Sequence, residues 1–278
     1  MEASKIKNIV IIILVVVNIF LLAIVLADRS EANAAERAMD SEIARVFSDN
    51  GITLAEGVKV SGIEPRCFTL TRDMEQEKKM VSALLGRVKV EDLGGNIYYY
   101  SGPNGQASFR GTGEFEMVLE GDSVPAGGDP VRTARKVLRR MGIDSEKEPA
   151  SQETSEDGNK ITVTLNASCK GDPIYNCQVS FLFQGGYLRL VMGRHPFDNI
   201  GSSYQEGLLS PATVLMRFLD VVNSGGLVCS RVTAMEQGYV MEVSVPGSGT
   251  LCPVWMIETD VGKYYINGIT GKAETVPD

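Results

Sequence analysis

Chemistry in this chain would have to come from one histidine, five cysteines and a few glycine-rich turns. His195 stands in Gly193-Arg-His-Pro196, just past a predicted strand. No spacing supplies it with a nucleophile or an orienting carboxylate. A lone histidine in a loop reads as a surface residue. Cys67, Cys169, Cys177, Cys229 and Cys252 are odd in number, sparse and never spaced as CxxC. They make no disulfide framework and, with a single histidine, no zinc site. They read as small buried apolar side chains, with Cys229 and Cys252 able to pair if their strands are neighbours. Gly247-Ser248-Gly249 falls between strands and is not a nucleophile elbow. Gly111-Thr-Gly113 lacks the third glycine and the helix of a dinucleotide loop. The expectation is a protein that is not an enzyme, with no cofactor and no metal.

Two surface features point to partners instead. A predicted helix after Pro130 carries Arg132, Arg135, Lys136, Arg139 and Arg140, an anion-facing patch suited to a lipid headgroup, a wall polymer or an acidic partner. The same charges also fit a plain solvated helix face. Tyr98, Tyr99 and Tyr100 cluster, as do Trp255, Tyr264 and Tyr265. On alternating strands part of each set faces the core and part faces out, where Tyr and Trp anchor interfaces.

The chain has 278 residues and a net charge of −8, enough for one large or two modest domains. Residues Met1 to Ala27 carry Glu2, Lys5 and Lys7, so the remainder sums to −9. So acidic a body argues against nucleic acid, because phosphate binding needs surplus Lys and Arg. Ile9 to Leu26 is an apolar run broken by Asn18 alone. As a helix it rises roughly 27 Å, near the hydrocarbon thickness. Lys5 and Lys7 precede it, and Asp28 and Glu31 follow, which puts the N-terminus in the cytoplasm and the bulk outside. The expectation is a single-pass protein of the cell membrane with an extracellular body. Asn18 is then a candidate interhelical contact. The rival is a signal peptide cut at Ala32-Asn33-Ala34, although the apolar run is long for one.

The predicted body is α+β. Met39, Ile43, Val46 and Phe47 share a helix face, and a second helix covers Asp73 to Leu85. Phe115, Met117 and Leu119 alternate with Glu114, Glu116 and Glu120, an antiparallel strand with one wet face. Asp129-Pro130 and Ser210-Pro211 each open a helix, with a capping side chain before proline at the first helical position. Strands follow both, and Asp144 to Lys160 reads as a mobile loop. The expected organisation is a cytoplasmic stub (1–8), a transmembrane helix (9–27), an N-terminal part (28–125) and duplicated helix-plus-antiparallel-sheet modules (126–200 and 201–278).

Several segments carry a family resemblance. They are Ser4 to Leu22, Gly171-Asp-Pro-Ile-Tyr-Asn176, Gly238-Tyr239, Leu251-Cys-Pro-Val-Trp-Met-Ile257 and Tyr264-Tyr-Ile-Asn-Gly-Ile-Thr-Gly271. Together, over about half the chain, they resemble the YycI/YycH regulatory proteins of Gram-positive bacteria, and the last hairpin is also similar to PepSY modules. The resemblance implies a membrane-anchored accessory protein that modulates a sensor histidine kinase of a two-component system. A sister regulatory protein would be a heterodimer partner. Asn18 and Phe20 would lie at the membrane contact, with Trp255, Tyr264 and Tyr265 at an outer one. The alternative is a PepSY-like binding or inhibitory module acting on an extracellular protease or cell-wall enzyme.

Overall fold

The computed structural model describes Asn18 and residues 38–55, 58, 66–146, 151–196, 199–204, 207–225 and 228–274. Four helices lie among them: α1 (residues 38–49), α2 (Met74–Leu85), α3 (Pro130–Arg140) and α4 (Pro211–Gly225). Their starts follow local chemistry. The Asp73 carboxylate accepts from the amides of Glu75 and Gln76, and Asp129 caps α3 ahead of Pro130. Ser210 accepts from the amide of Thr213 at the start of α4.

Among the described residues fifteen strands join in one sheet. They are β1 (Thr53–Leu54), β2 (Cys67–Thr71), β3 (Lys89–Asp92), β4 (Ile97–Gly102), β5 (Gly105–Arg110), β6 (Glu114–Leu119), β7 (Ser151–Thr154), β8 (Lys160–Cys169), β9 (Asp172–Gln184), β10 (Tyr187–Arg194), β11 (Asn199–Tyr204), β12 (Arg231–Val245), β13 (Ser248–Thr259), β14 (Lys263–Asn267) and β15 (Ala273–Glu274). The main path runs β11-β2-β13-β12-β9-β10-β6-β5-β4-β3. In β6 the expected alternation is met, with Phe115, Met117 and Leu119 buried and Glu114, Glu116 and Val118 facing out. Part of the expected loop at 144–160 is instead β7, paired to β8.

The four described helices lie on one face. Met80, Val81, Leu84 and Leu85 of α2 and Ala134, Val137 and Leu138 of α3 pack on Phe109, Phe115, Met117, Phe181, Tyr239 and Leu251. Phe47 of α1 and Val214, Leu215 and Phe218 of α4 pack on Trp255, Ile257 and Ile266. Leu251, Trp255 and Ile257 alternate along β13 and so share its helix-covered side. A smaller apolar cluster of Tyr175, Val240, Cys252, Val254 and Met256 occupies the other side.

The two halves of this sheet meet along β9. Its residues 179–184 pair with β10, while Ile174 makes a parallel bridge to Tyr239 of β12. Opposite β8 the register jumps from Asn166↔Gln178 to Ala167↔Ile174, so Tyr175, Asn176 and Cys177 form a bulge. The bulge turns the Asn176 carboxamide edge-on to β12. Its Nδ2 donates to the Met241 carbonyl at 3.0 Å, and its Oδ1 accepts from the Met241 amide at 2.8 Å. One side chain thus supplies the pair of bonds that a neighbouring strand would make.

This junction corrects the expected architecture of a transmembrane helix followed by duplicated modules. The two helix-and-strand groups form a single mixed sheet under one helical layer, because β9 belongs to both. Among the described residues no helix is long and apolar enough to cross a membrane. The most apolar, α4, has 15 residues and lays one side on the sheet. At 1.5 Å per residue that is roughly 22 Å, short of a hydrocarbon core of about 30 Å. That finding corrects the expectation of a single-pass cell-membrane protein with an extracellular body. Of the stretch Ile9 to Leu26, only Asn18 is among the described residues.

Replacing Asn176 with alanine strands the amide and carbonyl of Met241, which is 1% exposed. Each stranded group costs about 1–3 kcal/mol. Urea unfolding should show Asn176→Ala less stable by about 2–4 kcal/mol, and an unchanged midpoint would mean that the carboxamide does not hold the two halves.

Candidate functional site

The face that no described helix covers carries a row of short and polar side chains. Tyr99, Ser108, Glu116, Met192, Ser180 and Thr164 stand opposite one another across β4, β5, β6, β10, β9 and β8. Thr164 and Ser180 are joined by a hydroxyl hydrogen bond of 2.9 Å. Met192 is 46% exposed in the middle of this row.

A hollow of about 590 Å³ opens on this face where β10 ends and β12 takes over the edge of β9. Asn176 and Gln178 line its β9 side, with Arg194 and Met192 from β10, Glu114 and Glu116 from β6, and Ser108 and Arg110 from β5. Gly193 allows the close approach here, since a Cβ would meet the Gln178 carbonyl oxygen at 2.1 Å. The charges are mixed and accessible. Arg110 pairs loosely with Glu114 at 3.2 Å, and Arg194 Nε donates to the Thr112 carbonyl at 3.1 Å.

Beneath the hollow, the titratable side chains His195 and Glu77 are sealed into packing. His195, expected at the surface, is 1% exposed. Its ring stands edge-on to Phe109 and Phe115, each with centroids 5.6 Å away. The signal that sequence reasoning missed is the chain geometry that folds Gly193-Arg-His-Pro196 back under β5 and β6; the His195 amide donates to the Gly113 carbonyl. Nearby, Arg72 makes a bidentate pair with Glu77 through Nε and Nη2, and Tyr100 donates to Glu77 Oε1 at 2.6 Å. Burial, the Glu77 hydrogen bond and the Glu77 charge push the Tyr100 hydroxyl above its ordinary range. All five cysteines are buried, and none is in a disulfide. Burial raises Cys177 and Cys252 to about 12, so both stay protonated at neutral pH. Cys252 lies opposite Val240 on β12 and, by the β2–β13 register, faces Cys67 rather than Cys229.

The sequence-predicted partner residues separate. Trp255 is fully buried under α4, and Tyr264 packs beside Phe218. Tyr265 is on the opposite side, edge-on to Tyr175 at 4.9 Å. Asn18 is helical and exposed, and Phe20 lies outside the described residues. The basic patch is at the surface on α3, with Arg132, Lys136, Arg139 and Arg140 exposed and Arg135 half-buried. Arg140 ties α3 to α2 by donating to the Ala83 carbonyl at 2.6 Å.

No family model and no curated protein matches the chain. Among solved structures it is similar to an uncharacterized protein from Eubacterium rectale, at 9% identity and a TM-score of 0.47, over 81% of this chain and 90% of that one. Nothing in these comparisons bears on the resemblance to the YycI/YycH regulatory proteins.

Burial holds the His195 ring down to about 4, against an ordinary value of 6.5; the Glu77 charge and the contact with the Pro196 carbonyl oppose the shift, and the Arg72 charge adds to it. The unfolded chain therefore takes up this proton at a higher pH than the folded one. Stability is retained above pH 6.5 and lost as pH falls towards 4, by about 3 kcal/mol for this group. Thermal melts over that window should fall more steeply for the native chain than for His195→Gln. Parallel slopes would show that the ring titrates normally.

Proposed function

We propose that this chain is a binding module that acts by occupying a partner protein rather than by transforming a substrate. Of the two roles raised from sequence, this is the second, the PepSY-like binding or inhibitory module. It requires no contact inside a membrane. The observation that carries it is the hollow at the sheet junction, placed on the face that the helices leave bare.

The chemistry of that hollow suits an extended stretch of polypeptide. Arg110 and Arg194 offer guanidinium donors, and Glu114 and Glu116 offer acceptors of the opposite sign. Gln178 can both donate and accept, which matches a peptide backbone. Met192 supplies an adaptable apolar contact at the centre. Residues of this kind, charged at the rim with a soft apolar middle, give specificity through pattern more than through area. The burial of the thiols and the enclosure of His195 leave those side chains to packing.

A regulator built on this plan works by differential affinity. Holding one state of a partner ten times more tightly than another shifts its equilibrium by about 1.4 kcal/mol.

Peptides selected from a random library against the intact chain should bind the Arg110→Glu/Arg194→Glu double variant at least tenfold more weakly. They should bind a Lys136→Glu/Arg139→Glu control on α3 unchanged. Equal binding to native chain and hollow variant, or a selection that yields no peptide, overturns the proposal.

A further inference from the structure

The main path of strands ends at β3, which among the described residues pairs with β4 alone. The chain is described without a break from Arg66 to Glu146, so α2, β3 to β6 and their turns are all in place at this end of the sheet. All four residues of β3 are exposed. Two apolar side chains stand among them in water: Val90 is 43% exposed, and Leu93, just past the strand, is 56% exposed.

The turn after β3 settles which backbone groups point outward. The Leu93 amide donates to the Ile97 carbonyl, so Leu93 bonds towards β4. The register continues back from there without a shift, through Asp92↔Tyr98, Glu91↔Tyr99, Val90↔Tyr100 and Lys89↔Ser101. In an antiparallel ladder, bonded and non-bonded pairs alternate. Glu91 and Lys89 therefore bond towards β4 as Leu93 does. Val90 and Asp92 turn their N–H and C=O groups to the outer edge. Glu91 lies in line with Tyr99 and Ser108, on the bare face of the sheet.

The side chains along this edge are complementary to themselves. A two-fold axis that pairs β3 with a second copy must set residues of the same face opposite each other. With the axis at Val90, the two Val90 residues exchange both of their backbone hydrogen bonds. Lys89 of each copy then faces Glu91 of the other, giving two opposite-charge pairs at cross-strand distance. Moving the axis one residue either way sets Glu91 against Glu91 or Lys89 against Lys89, and like charges directly opposite are unfavourable. Neither Lys89 nor Glu91 makes an ion pair among the described residues, so both charges are available. Charges on an edge strand commonly keep other chains away. Here their alternating signs admit one register of one partner.

We propose that this chain self-associates through the edge of β3, two copies forming one continuous antiparallel sheet about a two-fold axis at Val90. The axis stands perpendicular to the sheet, so both helical layers lie on one side and both bare faces on the other. The two hollows then open in the same direction, where a partner with two matching segments would gain from engaging both. The association itself does not depend on what the hollow binds.

A four-residue edge buries little area, which places the dimer at the weak end of specific contacts. Sedimentation velocity on the full chain, in a series reaching about 0.5 mM, should show monomer giving way to dimer. Lys89→Glu and Glu91→Lys should each weaken association by about tenfold or more, because each sets like charges opposite twice. The double exchange Lys89→Glu/Glu91→Lys restores opposite signs and should associate as the native chain does. Arg110→Glu/Arg194→Glu should leave association unchanged, which separates this edge from the hollow. Exchange of the Val90 amide should be fast in dilute solution and slow as the dimer forms. A chain that stays monomeric throughout, a dimer that both single variants leave intact, a double exchange that fails to restore it, or a Val90 amide protected in the dilute monomer overturns the proposal. Each of these outcomes leaves the peptide reading of the hollow standing.

Discussion

Two hydrogen bonds between the Asn176 carboxamide and the Met241 backbone hold the point at which the sheet could have divided. On one side, β10, β6, β5, β4 and β3 continue outward; on the other, β12, β13, β2 and β11 do. Between the last β10 pair, Val179↔Gly193, and the lone bridge Ile174↔Tyr239, β9 has no backbone partner on that edge. An amide side chain has the same donor and acceptor as a peptide unit, so it can stand in for one. The cost is a bulge that displaces three residues of β9 from β8. The hollow lies beside this substitution. Where a ladder is interrupted, unpaired groups and space appear together, and recognition has something to grasp.

Much of the local structure was legible because it depends on neighbours in sequence. Asp129-Pro130 and Ser210-Pro211 mark helix starts by the chemistry of the first turn. The period-two pattern of Phe115, Met117 and Leu119 declares a strand with one wet face. The joining of the two strand groups was not legible, since it rests on one side chain acting as backbone across 65 residues of separation. Nothing in Asp-Pro-Ile-Tyr-Asn distinguishes an asparagine that stitches strands from one that caps a turn.

The candidate sites were less visible still. Trp255, Tyr264 and Tyr265 form a convincing aromatic group in sequence, yet β13 and β14 divide them between the two faces of the sheet. His195 is in a loop by any local criterion, and only the stacked rings of Phe109 and Phe115 explain its burial. Arg110 and Arg194 are isolated in sequence but line one hollow, because β5, β6 and β10 are adjacent in the sheet. Gly238 has room for the Tyr175 ring only because it lacks a side chain.

The Arg72–Glu77 pair has a consequence for how the molecule comes apart. Arg72 follows β2, which belongs to the β13 side of the sheet, while Glu77 sits on α2, packed over β4 and β5 on the far side. Their side chains are 5% and 0% exposed, and Tyr100 and the Asn96 carbonyl complete the cluster from the far side. If either half loosened alone, a fully desolvated carboxylate would lose its counter-ion, at a penalty of about 3–5 kcal/mol. Partial opening is thereby penalised from within, and the two halves are bound to melt as one cooperative unit.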